Sequence, residues 1–358
     1  MQKMDGMNYA PVFQGNAHVV VEAGTFCFAV IGLDHGHIFA MTNGLIEAGA
    51  TLVSVFDEDK AKMEDFCIRY PQAKGVDSLE DILQDETIQL VASAIRPDKR
   101  CALGLLVMAH DKDYFADKPG LLTFEELEKV RIACKQSGRK YFIYFGERIH
   151  VEGAVLAEEL IKDGRVGRVV SMTILAPHRL NAPTRPAWFF DPEQSGGIIT
   201  DIGSHQIEQF LTFAGAKDAK IMHSAKANYN NPEHPDFFDW GECSLVADNK
   251  STCYFRVDWF TPDGLGAWGD GRVFIVGTEG SIEIRKYLDV AQSPSGDNVY
   301  LVDREGEHKF VATGKMGFVF FGDFILDCMN RTEKSMTQEH VLLAMGLALE
   351  AEKQARVI

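Results

Sequence analysis

The sequence predicts an α/β protein: an N-terminal doubly wound parallel sheet of the Rossmann type, then an α+β domain on a large, open, mostly antiparallel sheet. Three observations predict it. Between Phe26 and Phe145 short apolar runs alternate with amphipathic helical segments, as in a parallel sheet covered on both faces. The first run ends at Gly32 and passes directly into a helix, as nucleotide-binding sheets begin. From Lys220 to Phe310 strand-like segments follow one another with little helix between them. A chain of 358 residues exceeds the size at which a single core stops growing, so two domains are expected. Residues 1–24 read as an arm, 25–146 as the dinucleotide-binding domain and 147–358 as a second, α+β domain. The C-terminal helix is expected to pack back on the first domain.

Taken in order, Phe26–Ile31 is a buried strand, and Ile38, Met41, Leu45 and Ala48 form one helical stripe ending at Gly49. Thr51–Phe56 is a β-branched strand closed by Asp57. A helix with Met63, Phe66, Cys67 and Tyr70 on one face stops before Pro71. Ser78 with Asp81 and Thr123 with Glu126 are capping boxes that open helices. Leu90–Ile95, Tyr114–Phe115 and Tyr141–Phe145 complete the first strand set. In the second half Val151–Asp163 is a helix, Val169–Pro177 a strand and Asp201–Phe213 a helix. The segments 220–229, 241–260, 273–287 and 299–310 are strands, with hairpin turns at Asp248-Asn249 and Glu279-Gly280. Two helices, 318–330 and 338–356, close the chain. The glycine-rich stretch around Leu265, Ala267 and Trp268 reads as an irregular loop with exposed apolar side chains, a subunit contact or a pocket wall.

Lys and Arg total 36 against 52 Asp and Glu, a formal charge of −16, which opposes binding to nucleic acid or anionic membranes. No stretch reaches the ~20 apolar residues that span a bilayer, and the N-terminus has no secretory pattern. The seven cysteines are odd in number and scattered, without a C-x-x-C, which points to free thiols in a reducing cytoplasm.

The chemistry concentrates in a few places. At the first turn the three fingerprint positions are Gly32, Asp34 and His37, so only the first is glycine. In the tetrapeptide Asp34-His35-Gly36-His37, Asp34 is read first as a helix cap. His37 could instead donate to a pyrophosphate. Metal ligation by Asp34, His35 and His37 matches no closed site, and no metal is expected. Asp57, twenty residues beyond His37, stands where a carboxylate accepts from the adenosine ribose. Glu58 beside it repels a 2′-phosphate, so NAD is expected over NADP. Arg96 and Pro97, after the strand ending at Ile95, and Lys118 complete the expected cofactor set. Lys118, in Asp117-Lys118-Pro119 at the carboxyl edge of the sheet, can stabilise an alkoxide or polarise a carbonyl. In Ser195-Gly196-Gly197 through His205, Asp201 and His205 are spaced i and i+4, on one face of a helix, with His205 suited to accept a proton. Before it, Arg179, Asn181 and Trp188 offer hydrogen-bond donors and an apolar face for a substrate.

Together, Gly32 with Asp57, Asp117-Lys118-Pro119, and Gly196-Gly197 through Asp201 and His205 resemble the glucose–fructose oxidoreductase/inositol dehydrogenase (Gfo/Idh/MocA) family, in the same order from about Phe26 onward. The resemblance implies an NAD(P)-dependent dehydrogenase acting on a sugar, polyol or related carbohydrate, with a second-domain sheet mediating dimers or tetramers. It makes Lys118 the lysine of the family's Glu-Lys-Pro motif and His205 the acid/base, with Asp201 beside it. Asp117 replaces the family's glutamate, Cys101 stands near a frequent histidine, and Asp34 and His37 replace glycines. Two further readings keep the scaffold: glycoside cleavage or elimination through transient oxidation, and non-catalytic sensing of a sugar or nucleotide.

Overall fold

The computed structural model describes residues 5–15 and 18–358. Residues 1–4, 16 and 17 of the expected arm lie outside them. Two compact units result. One comprises Met7–Tyr144 with Phe318–Leu342, the other Asp5–Gly6, Phe145–Gly317 and Leu343–Ile358. The chain is therefore interleaved instead of dividing once near residue 146, and the arm itself contributes to both units.

In the first unit, β1 (Cys27–Ile31), β2 (Thr51–Phe56), β3 (Lys74–Gly75), β4 (Leu90–Ser93), β5 (Asp113–Asp117) and β6 (Tyr141–Tyr144) form a parallel sheet in the order 3-2-1-4-5-6. Strands β1, β4, β5 and β6 are buried at every residue, as a sheet covered on both faces demands, and in β5 the apolar core Tyr114–Ala116 is bounded by buried Asp113 and Asp117. Helices α1 (His37–Glu47), α2 (Lys60–Arg69), α3 (Leu79–Leu83), α4 (Pro97–Ala109) and α5 (Phe124–Ser137) cover it. Asp59 caps α2, and the Ser78/Asp81 and Thr123/Glu126 boxes cap α3 and α5, each cap worth about 1 kcal/mol. Of the face expected on α2, Phe66 and Tyr70 are buried, while Met63 and Cys67 are half-buried.

In the second unit, α6 (Gly146–Ile149) and α7 (Glu152–Lys162) lead to β7 (Val169–Pro177). The short α8 (Pro192–Ser195) and one turn of π-helix, Ile199–Gly203, precede α9 (Ser204–Ala214). Strands β8 (Ala219–Ala227), β9 (Trp240–Ala247), β10 (Thr252–Asp258), β11 (Arg272–Gly277), β12 (Ser281–Arg285), β13 (Asn298–Asp303), β14 (Gly306–Val311) and β15 (Arg356–Val357) join β7 in a nine-stranded sheet ordered 14-13-12-11-7-10-9-8-15. It is antiparallel except at β10–β7 and β15–β8. Burial alternates along β7, β9, β10 and β12, the mark of a sheet with one face in a core. Phe255 on that face meets Gly203, so α9 lies on it. Arg148 on α6 anchors α9 through a forked pair with Glu208 (2.6–2.9 Å), both buried; removing one partner of such a pair costs ~3–5 kcal/mol. Ala267 and Trp268, expected to be exposed, are buried, with Trp268 packed on His178 and Tyr287 at 4.6 and 4.2 Å.

Helix α10 (Val319–Asn330) belongs to the first unit, where Phe320 and Phe324 pack on Phe115 and Phe142. The first residues of α11 (Gln338–Gln354) join the first unit and the rest the second.

Candidate functional site

The nucleotide turn of the first unit is built on Gly32. Its φ is +84°, and a Cβ there would lie 2.5 Å from Ile95 Cβ, so only glycine lets the β1 and β4 ends close together. Asp57, at the end of β2, accepts from Leu33 N (2.6 Å) and Asp59 N (2.8 Å), which fixes its carboxylate at the carboxyl edge beside the turn. Asp34 does not cap α1, contrary to the reading from sequence. The N-cap position is Gly36, and no side chain caps the helix. Asp34 instead accepts from Arg96 N (2.9 Å) and Lys62 Nζ (2.7 Å). Its charge is thereby paired, and it ties the β1–α1 turn to the β4–α4 turn. Arg96 forks onto Asp98 (2.6 and 3.0 Å), and Pro97 begins α4. Gly36 has its own requirement: a Cβ would sit 2.3 Å from Met7 O of the arm. A positive-φ glycine, an α1 N-terminus without a side-chain cap and a carboxylate ending β2 fit a dinucleotide.

The two histidines of the turn converge on Asp117. His35 and His37 each donate Nδ1–H to its carboxylate, at 3.0 and 2.8 Å, while Arg100 Nη2 donates at 3.1 Å and Lys118 N at 2.8 Å. Asp117 is fully buried and Arg100 nearly so. Burial pushes the Asp117 carboxyl up, but His37, Arg100 and His35 outweigh it and hold it well below the ordinary value. Burial, reinforced by the charge of His37, drives His35 down to about 3, so His35 is neutral near pH 7. The donor atoms of His35, His37 and Asp117 lie within 4.8 Å of one another, a spacing that could hold a metal ion. Arg100 on the same carboxylate already supplies the neutralising charge. Lys118 is 6 % exposed. Cys101 is buried, its thiol pushed up to about 12, which leaves it inert.

In the second unit Asp201 lies on the π-turn, not on a continuous α-helix with His205, which sits in the first turn of α9. The π-turn is held by Glu352 of α11, whose Oε2 accepts from Ile199 N (2.8 Å) and Thr200 N (3.3 Å) while Oε1 pairs with Lys226. Gly196 and Gly197 have φ of +92° and +80°. A Cβ on Gly197 would be 2.6 Å from the Glu352 carboxylate, so the close approach that its glycine permits is that of Glu352. Asp201 lines a small cavity with Phe189, Ser195, Phe237 and Trp259. His205 is 2 % exposed, with Phe145 edge-on at 6.2 Å.

Arg179 and Asn181 are mainly braces. Arg179 donates to Pro262 O and Leu265 O (3.0 and 2.8 Å), and Asn181 Nδ2 to buried Asp5 (2.9 Å). Trp188 is half-buried beside Phe189. Sequence reasoning missed a buried polar group around Glu147. Its Oε2 bonds Lys286 Nζ (2.9 Å), and its Oε1 accepts from Gln206 Nε2 (3.0 Å) with His178 Nε2 at 3.6 Å. Glu147 follows the last strand of a parallel sheet, a position that signals a site. Lys286, 139 residues away, carries no local signal.

Comparison with known proteins adds to this geometry. The family described as "Oxidoreductase family, NAD-binding Rossmann fold" matches residues 26–145, and the GFO/IDH/MocA C-terminal domain matches 155–283. A D-xylose dehydrogenase of Paenarthrobacter nicotinovorans is 26% identical over 152 residues, 41% of this chain and 39% of that protein. The matched stretch thus spans about two fifths of that curated relative. A crystal structure from Erwinia carotovora atroseptica SCRI1043, assigned to the oxidoreductases, is 45% identical, with a TM-score of 0.90 over 93% of this chain and 100% of that one. Levoglucosan dehydrogenase, solved with NADH and levoglucosan, shares the fold at 16% identity, with a TM-score of 0.74 over 92% of this chain and 97% of that one.

Proposed function

Since the chain belongs to the Gfo/Idh/MocA family of oxidoreductases, we propose that it is an NAD-dependent dehydrogenase oxidising a secondary alcohol of a sugar, polyol or related carbohydrate. The observation that carries the reading is the bond network of Asp117. The residue before Lys118 is hydrogen-bonded to both histidines of the nucleotide turn, which supports a role for this lysine beside the cofactor. NAD, when bound, supplies the hydride acceptor at C4 of its nicotinamide. His205 takes the hydroxyl proton, Lys118 stabilises the developing alkoxide with its ammonium, and Asp201 orients these groups. Asp57 accepts from the ribose hydroxyls, and its charge with that of Glu58 disfavours a 2′-phosphate, hence NAD over NADP. His35 and His37 shape the turn through Asp117, and Arg96 and Pro97 form its neighbouring wall. Trp188 is retained as a stacking surface for a sugar ring; Arg179 and Asn181 act by holding the loops that bear it.

The reading extends to a reducing cytoplasm, supported by seven free cysteines, five of them buried. It also extends to a homodimer or homotetramer through the face of the nine-stranded sheet that bears Leu175, Tyr254, Phe274 and Val276; Val276 is 50 % exposed. Among the described residues no helix is long and apolar enough to cross a membrane. The test is reduction of NAD and of NADP across a panel of sugars and polyols, with Lys118→Ala and His205→Ala alongside. Loss of about 100–10,000-fold in rate is expected for His205→Ala. Near-normal turnover in that variant would sink the assignment.

A further inference from the structure

The second unit buries more ionisable groups beside α9 than holding a helix in place requires. Arg148 and Glu208 already clamp it. Glu147 (4 % exposed), Lys286 (2 %) and His178 (6 %) form a separate cluster, joined to α9 through Gln206, the neighbour of His205. Gln206 is fully buried and passes the connection on: its Oε1 accepts from Gln209 Nε2 (2.9 Å), which also donates to His205 O (3.1 Å). Burying such charges is costly, and replacement by apolar residues of similar volume is often neutral or stabilising, so their presence calls for a role beyond packing.

We propose that Glu147 is a positioning residue for His205: its buried carboxylate favours the imidazolium that forms as the substrate hydroxyl loses its proton, and Lys286 is the counterweight. The inference rests on the reading of His205 as proton acceptor. Its electrostatics follow from the groups around Glu147: Lys286 after β12 at 2.9 Å, His178 after β7 at 3.6 Å, and His205 on α9, whose neighbour Gln206 donates to the carboxylate at 3.0 Å. Burial pushes the Glu147 carboxyl up, yet Lys286, His205 and His178 overcome this and hold it far below the ordinary value. That attraction is mutual, so an ionised Glu147 raises the proton affinity of His205. Lys286 is itself lowered by burial, which Glu147, Glu208 and Asp297 partly offset. On the other side, Asp201 precedes His205 on the π-turn, and its charge is felt by Arg185. The cluster thus holds one carboxylate and one ammonium of opposite effect. Removing Lys286 therefore favours the imidazolium, and removing Glu147 disfavours it.

The test reads His205 directly. In full-length protein with 15N-labelled histidine, its ring resonances, assigned by their loss in His205→Gln, are followed against pH. Glu147→Gln should lower the titration midpoint by about one unit, tenfold in proton affinity, and Lys286→Met should raise it by a similar amount. The double variant Glu147→Gln/Lys286→Met removes both charges and keeps the measurement possible if Glu147→Gln, with its stranded ammonium, fails to fold. Its midpoint should return to within a few tenths of a unit of the parent. Opposite shifts support the proposal. Midpoints that stay put, or move the same way in both single variants, overturn it. Because no turnover is required, opposite shifts in a protein that oxidises no carbohydrate would sink the proposed activity and leave the electrostatic coupling standing. Unmoved midpoints in an active enzyme would do the reverse.

Discussion

Two departures from the family pattern, Asp117 for glutamate and His37 for glycine, meet in one hydrogen bond of 2.8 Å, and a double-mutant cycle can show that they are a single feature. In Asp117→Glu the carboxylate advances by about 1.5 Å, one carbon–carbon bond. The side chain is fully buried, and its two oxygens already accept four donors at 2.8–3.1 Å, so none can be compressed. Overpacking costs ~1–3 kcal/mol and the loss of one charged hydrogen bond ~1.5–3, together roughly 2.5–6 kcal/mol. His37→Gly loses the same bond and gains a glycine in the first turn of α1, roughly 2.5–4 kcal/mol. If the sites were independent the double variant would lose the sum. If the imidazole volume is what excludes the longer side chain, the pair recovers at least about 2 kcal/mol. Fluorescence cannot report this, because all four tryptophans (188, 240, 259 and 268) lie in the other unit. Hydrogen exchange of peptides covering β1 and β5, read by mass spectrometry, measures the local opening free energy instead. Additivity within about 0.5 kcal/mol would refute the coupling.

Three further outcomes are expected. Asp34→Gly removes the brace on Arg96 N and frees Lys62, costing about 1 kcal/mol; calorimetry should show NAD bound no more tightly than by the parent, and tightening would mean that the Asp34 charge faces the pyrophosphate. His35 titrates at about 3 when folded but near 6.5 when unfolded, so the unfolded chain takes up its proton first as pH falls. Its contribution is fully present above about pH 6.5 and is lost at up to ~1.4 kcal/mol per pH unit below it, with Asp117, depressed when folded, adding to the loss below about pH 4. Urea unfolding at pH 7.5, 6 and 5, with His35→Asn as control, should show this share, and a control as pH-sensitive as the parent would remove it. Glu352→Ala releases Ile199 N and Thr200 N from the turn that bears Asp201. A fall of about tenfold in kcat/KM for the alcohol is expected at unchanged NAD affinity, and an effect confined to NAD binding would contradict the assignment of the turn to substrate chemistry.

What was legible in the sequence is what local chemistry determines. The apolar runs of β1 and β4, the boxes at Ser78 and Thr123 and the hairpins at Asp248 and Glu279 each depend on neighbours within a few residues, and the elements appear where those signals place them. The partners of charged side chains were not legible, because nothing local specifies them. Asp34 has the composition of a cap, but its acceptor geometry is taken by Arg96 N, 62 residues on. His37 finds Asp117 across 80 residues, and Glu147 finds Lys286 across 139. The π-turn at Asp201 has the apolar spacing of an α-helix, and Glu352, near the far end of the chain, accepts from two of its N–H groups. Trp268 stands among glycines, as in an exposed loop, yet it is buried, and Gly269, where a Cβ would lie 2.4 Å from Pro177 O, permits the close approach beside it.

The interleaving of the first unit has a consequence for how the protein is made. Phe115 and Phe142, on adjacent strands of the parallel sheet, are covered by Phe320 and Phe324, and Gly44 of α1 receives the ring of Phe321, which no larger residue there would admit. On a ribosome, residues 7–144 emerge long before residue 318. At about 5–20 residues per second the aromatic face of β5 and β6 waits roughly 10–40 s for its cover. Vectorial folding therefore leaves the nucleotide-binding half sticky through the synthesis of the other half, and a chain released before α10 would carry an aggregation-prone aromatic surface in place of a finished core.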